Sequence, residues 1–140
     1  MNSGSKISFE PPKKSVNRTL EKEIQNEICM TLDEAIARGV SFDYAGDMNA
    51  AKRSPQEAAW CIACGMKSGE PDLRVYVSDG RLILIELKVK GRNSVFKAQR
   101  ERHERLRGLG HDVRVWRLKN RSEGREMALK LISEICPCQD

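Results

Sequence analysis

The stretch PDLRVYVSDGRLILIELKV, residues 71–89, constrains the fold of this chain more than any other. Two runs rich in Val, Leu and Ile flank the turn residues SDG, which is the pattern of a β-hairpin. The second run carries a glutamate and a lysine two positions apart, at Glu86 and Lys88. Because side chains alternate along a strand, the two charges share one face and the apolar residues between them lie on the other. A strand that only packs would not carry charges there.

The turn predicts which residues of the hairpin face each other. A three-residue SDG loop would pair Asp72 with Glu86, with their β-carbons about 5 Å apart on one face. A two-residue loop would pair Asp72 with Leu87 and turn Glu86 to the opposite face. Three-residue loops favour a glycine in the left-handed region at their end, and Gly80 occupies that position. The turn therefore favours the register that joins the two acids.

Two neighbouring carboxylates repel each other unless a cation lies between them. Mg²⁺ favours one or two carboxylates, several waters and a substrate phosphate, and it would supply a hydroxide-like nucleophile. Lys88 could orient the attacking water or neutralise charge that develops on the phosphate, and the backbone carbonyl of Leu87 could be a further ligand. On the hairpin alone, the alternative is a surface ion pair between Glu86 and Lys88, with Asp72 only starting a strand.

Positive charge is concentrated in one segment of the chain. The 140 residues have a net charge of +5, yet the segment between Lys88 and Arg121 has 12 basic and 3 acidic residues, a net charge of +9. Such a segment suits a polyanion such as nucleic acid. Charge alone is equally compatible with a solvated basic face.

Periodicity and turn residues predict one mixed α/β domain over residues 18–140, preceded by a flexible Ser-, Pro- and Lys-rich arm over residues 1–17. Helices are expected at 19–38, 54–65, 94–109 and 124–136, and strands at 40–44, 72–77, 81–89 and 111–118. Trp60 and Trp116 are expected in the core, and His103 is expected to be a packed or surface residue rather than a proton shuttle.

The five cysteines are odd in number, and no signal peptide or membrane span is evident, which together predict a cytoplasmic chain with free thiols. A zinc-stabilised interaction domain is the alternative, with ligands drawn from Cys61, Cys64, Cys136 and Cys138. The spacing of the second pair does not suit the usual zinc knuckle. The segment EAAWCIAC around Cys61 is also typical of a buried helical face.

Several motifs together resemble the VRR-NUC (virus-type replication-repair nuclease) family of PD-(D/E)xK nucleases. The core motif is PD at 71–72 followed by IELK at 85–88. GMKSGEPDL at 65–73 resembles the approach to the family's aspartate, and NAAKRSPQEAAWCIACG resembles the stretch before it in small, stand-alone phage and bacterial members. LEKEIQNEI resembles the family's first helix. The spacing Gln99…Leu106…Gly110-x-x-Val113-x-Val115 resembles its last pattern, so the resemblance covers roughly residues 20–118.

The resemblance implies a restriction-endonuclease-like fold, with a central mixed sheet flanked by helices, and Mg²⁺- or Mn²⁺-dependent hydrolysis of DNA. By position, Asp72 and Glu86 match the metal ligands and Lys88 the catalytic lysine. Gln99 matches a position near the active site, where it would contact metal-bound water or phosphate. The family often has a serine three residues before this glutamine, whereas this chain has Phe96.

The first helix of the family supplies a further glutamate to the metal site. Glu21 matches it, three residues before Ile24, and Gln25 lies one turn further on the same side and could assist. Glu23 and Glu27 remain alternatives, because the sequence does not fix the rotation of this helix.

Stand-alone members of the family resemble Holliday-junction resolvases and tend to form homodimers. The resemblance therefore implies a branched or otherwise structured DNA partner, a bacterial or phage-infected host cell, and a role in DNA repair, recombination or phage DNA processing. A DNA-binding module of the same fold without activity is an alternative. Basic residues in and before the third helix would contact backbone phosphates without reading sequence: Lys90, Arg92, Lys97, Arg100, Arg102, Arg105 and Arg107.

Overall fold

The helices and strands follow one another in the order that the sequence predicts. The structure is a computed structural model that describes residues 13–47, 53–92 and 95–136, with side chains from residue 19. The described helices are α1 (Lys13–Ala37), α2 (Pro55–Ala63), α3 (Lys97–Gly108) and α4 (Arg121–Ile135). The described strands are β1 (Phe42–Gly46), β2 (Leu73–Val77), β3 (Leu82–Val89) and β4 (Asp112–Leu118). Their order confirms the predicted mixed α/β class.

The strands form one mixed sheet in the order β1-β2-β3-β4. β1, β2 and β3 are antiparallel neighbours, whereas β4 lies parallel to β3. Parallel neighbours need a crossover connection, and α3 supplies it. β3 is therefore an interior strand that helices cover on both faces, which explains its nearly continuous apolar sequence.

The main core lies between the sheet and the α1–α4 pair. It contains alternate residues of β2 and β3, which include Leu73, Val75, Ile83, Ile85 and Leu87, together with residues of α1 and α4. α1 and α4 come so close that a β-carbon at Gly124 would lie 3.1 Å from Cγ2 of Ile24. Gly124 lies inside α4, which begins at Arg121, three residues earlier than the sequence predicts.

A smaller cluster covers the opposite face of the sheet, where Leu106 of α3 packs on Leu84 and Val113. On this same face β3 carries Glu86 and Lys88, since residues two apart on a strand point the same way. The sheet thus separates a large apolar core from a second face where charged side chains and one helix meet.

The predicted hairpin register is confirmed. Leu73 lies opposite Ile85, and Val77 donates from its N–H to the carbonyl of Arg81 across the SDG loop, with an N···O distance of 2.9 Å. Gly80 has a φ of +87°, the left-handed conformation that the three-residue loop requires at this position. The same register, extended by one residue, brings Asp72 opposite Glu86.

The expected start of the first helix needs revision. α1 begins at Lys13, so it includes residues 13–17 of the expected arm; the prolines at 11 and 12 precede the helix, and no proline or glycine interrupts it until Gly39. Residues 1–12 lie outside the described part of the chain.

Of the two tryptophans, Trp116 is in the core at 5% exposure, as predicted.

The prediction that Trp60 is a core residue is wrong, because its side chain is 72% exposed. The segment around Cys61 was also expected to form a buried helical face, yet α2 has no buried residue. Ser54 does cap α2 as predicted, accepting from Glu57 N at 3.1 Å. Local signals thus predicted the helix, but composition could not show that the described part of the chain leaves its side chains unburied.

No helix in the described residues is both long enough and apolar enough to span a membrane.

Candidate active site

The charged residues of β3 are buried beneath α3. Glu86 is 1% exposed and Lys88 is 5% exposed, and Lys88 Nζ lies 3.5 Å from Glu86 Oε1. The alternative of a surface ion pair is therefore wrong. Removing two charges from water costs free energy that the attraction within the pair rarely offsets in full. A buried pair of this kind is a candidate for function rather than a device for stability.

Asp72 lies immediately before β2, and β3 holds its side chain. The N–H of Leu87 donates to Asp72 Oδ2, with an N···O distance of 2.7 Å. The antiparallel register, extended by two residues, would place Pro71 opposite Leu87 at a hydrogen-bonding position. Proline has no N–H, so Pro71 cannot donate a sheet hydrogen bond to the Leu87 carbonyl. Because N–H and C=O of one strand residue point to the same side, this carbonyl faces the edge where Asp72 lies.

α3 brings two polar side chains to Glu86. Gln99 donates from Nε2 to Glu86 Oε1 at 2.8 Å and accepts from the N–H of Phe96 at 3.0 Å. His103, one turn further along and 2% exposed, has its Nε2 4.0 Å from Glu86 Oε2. Glu86 Oε2 and His103 Nε2 are both buried without a hydrogen-bond partner among the described residues. The i, i+4 spacing puts His103 on the same face of α3 as Gln99, but the sequence does not show that this face meets Glu86.

Burial makes the acids of the site hard to ionise. Burial, and then the nearby Asp72 carboxylate, raise the pKa of Glu86 to about 8, although Lys88 opposes the shift. Burial also raises the pKa of Asp72, against the lowering effect of the hydrogen bond from Leu87 N–H. The pKa of His103 is lowered, first by burial and then by Arg107 and Lys88. Without a cation, the two acids compete for ionisation, and the surroundings of His103 disfavour the charged form of its imidazole.

The donors of this site fit a hard divalent cation. Glu86 Oε2 is a buried oxygen without a partner among the described residues, and the pKa of the neighbouring Asp72 carboxyl is raised in the same way. With the Leu87 carbonyl, they give the oxygen ligands that Mg²⁺ prefers, and both carboxyls would ionise beside the cation. Among the described residues, however, no three His, Cys, Asp or Glu side chains form a group that could hold a metal. Solvent or substrate oxygens would have to complete the coordination.

Of the three candidate glutamates of α1, Glu21 is the one whose negative charge contributes to the raised pKa of Glu86. Glu27 instead forms an ion pair with Arg121 of α4, with 3.6 Å between Oε2 and Nε. Glu23 is exposed. Gln25 lies close by, since its Nε2 would be 3.5 Å from a β-carbon at Gly46, near the carbonyl of Asp72.

A further acid at the site, Asp47, was not predicted. Its N–H donates to the Asp72 carbonyl at 2.8 Å, which continues the β1–β2 pairing beyond Gly46. Its charge adds to the raised pKa of Asp72, and its carboxylate lies 3.8 Å from a guanidinium nitrogen of Arg74. The alternating pattern of residues 42–47 was the available signal, but the sequence does not give the register of β1 against β2.

The loop before Pro71 is held against α3 at two points. A β-carbon at Gly69 would lie only 2.6 Å from the Ala98 carbonyl oxygen and 2.8 Å from Gln99 Cα. Glu70 forms a partly buried ion pair with Arg102 of α3. Backbone contact at Gly69 therefore fixes the distance between this loop and the helix that carries Gln99.

The seven predicted DNA-binding residues differ in their surroundings. Six are exposed: Lys90, Arg92, Lys97, Arg100, Arg105 and Arg107. Arg107 nevertheless donates to the Val113 carbonyl at 2.9 Å, and Lys97 lies 3.7 Å from the carboxylate of Glu101. Arg102 is the half-buried member of the set, paired with Glu70. The exposed members remain predicted DNA contacts, whereas Arg102 has a structural partner.

The described cysteines, Cys29, Cys61, Cys64 and Cys136, are free thiols. They belong to no group of metal-binding side chains among the residues that the structure describes. Cys138, the fourth ligand of the zinc alternative, lies outside those residues.

No family model matches the chain, and no curated protein matches it. Among solved structures, one described as "VRR_NUC domain protein" matches 83% of this chain and 89% of its own, with a TM-score of 0.54 and 22% identity. Another, described as "VRR_NUC domain", matches 76% and 91%, with a TM-score of 0.47 and 18% identity. The first likeness shows that the chain shares the fold of this VRR_NUC domain protein, which is the fold that the motif resemblance implies.

Proposed function

We propose that this chain is a Mg²⁺- or Mn²⁺-dependent endonuclease that hydrolyses phosphodiester bonds of DNA. The observation that carries the proposal is the placement of Asp72, Glu86 and Lys88 on one face of the hairpin, with Glu86 and Lys88 buried. The raised pKa values of both acids support it, because a site that disfavours ionised carboxylates is suited to a cation.

In this proposal Asp72, Glu86 and the Leu87 carbonyl hold the metal, and Glu21 acts on it at longer range. The bound metal would supply a water-derived nucleophile and would stabilise charge on the phosphate. The Lys88 ammonium, 3.5 Å from Glu86, orients the water or neutralises the negative charge that develops at phosphorus. Gln99 keeps the Glu86 carboxylate in one orientation through its 2.8 Å hydrogen bond.

DNA would approach along the basic face that α3 and its preceding segment present. The exposed members of the predicted set, Lys90, Arg92, Lys97, Arg100, Arg105 and Arg107, would contact phosphates. Because such contacts release counterions, binding should weaken steeply as salt is added.

The proposal extends to structured DNA, such as a junction or flap, and to a homodimer acting in repair, recombination or phage DNA processing. The resemblance to stand-alone VRR-NUC domains supports this part. A homodimer would present two active sites to two strands, and light scattering of the purified chain would give its mass.

The test compares the wild-type chain with Lys88→Ala on a supercoiled plasmid, a four-way junction and a flap, each with Mg²⁺, with Mn²⁺ and with a chelator. Wild type is expected to cut only with metal, and the variant is expected to lose cleavage by about 10²-fold or more. Lys130→Ala is the matched control, because Lys130 is an exposed lysine on α4, outside the predicted DNA-binding set.

Binding of the same DNA, measured with the chelator present, separates catalysis from affinity. Lys88→Ala should bind as wild type does, because Lys88 is buried and contributes little to the surface field. If wild type binds DNA but cuts none of the substrates with either metal, the endonuclease proposal fails and a DNA-binding module of the same fold is the remaining interpretation.

A further inference from the structure

A cavity of about 380 Å³ lies between α3 and the edge strand β4, beside the proposed active site. Val95 and Val115 supply its apolar wall, and His103 reaches it from α3. Its volume is within the range of pockets that hold small ligands, which begins at about 300 Å³. The PD-(D/E)xK motif assigns no role to this cavity.

The lining of the cavity is strongly basic. It includes Arg100, Arg107 and Arg117 and one acid, Glu104. Arg100 donates to the Val95 carbonyl at 3.2 Å, and Arg107 donates to the Val113 carbonyl. These bonds orient both guanidinium groups, and since each has five N–H donors, each retains donors for a further acceptor. A phosphate group suits such a lining.

The cavity adjoins the reaction centre. Glu86 lies opposite Val115 and Lys88 lies opposite Arg117 in the parallel β3–β4 ladder. His103 belongs to both places, because it lines the cavity and has a buried Nε2 without a described partner, 4.0 Å from Glu86 Oε2. A phosphate neighbouring one that is held at the proposed site would therefore be within reach of this cavity.

The aromatic ring of Phe96 lies where the cavity adjoins the proposed active site. Phe96 follows Val95 in the chain, is 65% exposed, and has its ring centroid 5.1 Å from Lys88 Nζ. One face of the ring meets the ammonium, as in other cation–π contacts. The ring contributes little to packing, so it is available for stacking on a planar group.

We propose that this cavity and Phe96 form a site for one unpaired nucleotide next to the scissile phosphate. The sugar and phosphate of the nucleotide enter the cavity, near Arg100 and Arg117, and its base stacks on Phe96. The proposal rests on the proposed nuclease function and narrows its substrate to DNA with an extruded or unpaired base. Stacking is tolerant of sequence, so any of the four bases would serve.

The test measures binding of fluorescently labelled short duplexes, with a chelator present so that no metal acts. Three duplexes are compared: fully paired, with a one-nucleotide bulge, and with an abasic bulge that keeps the sugar and phosphate. Wild type should bind the bulge that carries a base about tenfold or more tightly than the abasic one. Phe96→Ala should bind both bulges equally, and Arg117→Ala should weaken both by a similar factor.

Leu109→Ala is the matched control, because Leu109 is 63% exposed at the opposite end of the same helix and should leave the preference intact. Equal binding of the two bulges by wild type, or an unchanged preference in Phe96→Ala, would overturn the nucleotide site. Failure to bind any of the duplexes would overturn it too. Since no cleavage is measured, these results are separate from the metal-dependent cutting on which the endonuclease proposal stands.

Discussion

Gln99 donates a hydrogen bond from Nε2 to Oε1 of Glu86 at 2.8 Å, which joins the first turn of α3 to the middle of β3. The same oxygen of Glu86 also meets Lys88, whereas Oε2 faces His103 without a hydrogen-bond partner among the described residues. The carboxylate is therefore held at one oxygen and open at the other. This asymmetry suits a ligand of a cation, whereas burial and the nearby Asp72 carboxylate make Glu86 costly to ionise when no cation is bound.

Replacing Glu86 by Gln should change how stability depends on pH in the metal-free protein. Because the pKa of Glu86 is about 8 when folded and about 4.3 when unfolded, the folded chain retains a proton that the unfolded chain has lost between these values. The stability that this group contributes is full below about pH 4 and is lost as pH rises towards 8. Glu86→Gln should therefore gain stability relative to wild type between pH 5 and pH 8.

Urea unfolding at both pH values with a chelator measures this difference. Glu101→Gln, an exposed change on α3, should follow the wild-type pH dependence. A parallel loss of stability in wild type and Glu86→Gln from pH 5 to 8 would contradict the raised pKa.

Replacing Gly69 by Ala should disturb the loop before the active site more than a similar change nearby. Gly69 has a φ of +82°, and a β-carbon would meet the α3 backbone within 3 Å. Gly65 has a φ of +102°, but a β-carbon there would meet nothing within 4 Å. Gly65→Ala should cost about 1–2 kcal/mol of unfolding free energy from backbone strain alone. Gly69→Ala should cost more and should also reduce cleavage, because it displaces Gln99. Equal losses of stability in the two variants would show that the loop does not touch α3 as described.

Two arginines of α3 should give different phenotypes although both were predicted to bind DNA. Arg102 forms a partly buried ion pair with Glu70, so Arg102→Ala should lower the unfolding free energy by about 1–3 kcal/mol. Arg105 is exposed, so Arg105→Ala should leave stability unchanged and reduce the slope of log affinity against log salt by about one. Denaturation and salt-dependent DNA binding of both variants check this, and an opposite assignment of the two effects would refute it.

The two tryptophans offer a test of the position of α2. Trp116→Ala should cost about 3–5 kcal/mol of unfolding free energy, because the ring lies in the main core. Trp60→Ala should change it by less than about 0.5 kcal/mol, because the side chain is 72% exposed. Urea denaturation of each variant gives the numbers. A large loss in Trp60→Ala would mean that α2 is covered in solution by a surface that the described residues do not supply.

The sequence was sufficient for features that depend on neighbours along the chain. The SDG turn with its left-handed Gly80 determines the hairpin register, and the register determines that Asp72 lies opposite Glu86. Caps and stops such as Ser54 and Gly39 gave helix ends to within a few residues. These features are local, because a turn type or a cap involves residues only a few positions apart.

Only the tertiary structure decided which side chains meet across elements. The position of α3 over β3 brings His103 to Glu86. The packing of α1 pairs Glu27 with Arg121 of α4, while the charge of Glu21 contributes to the raised pKa of Glu86. The pairing of β1 with β2 adds Asp47, and the lack of any buried residue in α2 leaves Trp60 exposed. Each outcome depends on the rotation and placement of a whole helix or strand, which follow from burial summed over distant segments. Hydrophobic spacing shows that a helix has an apolar face, but the shape of the assembled core decides what that face touches.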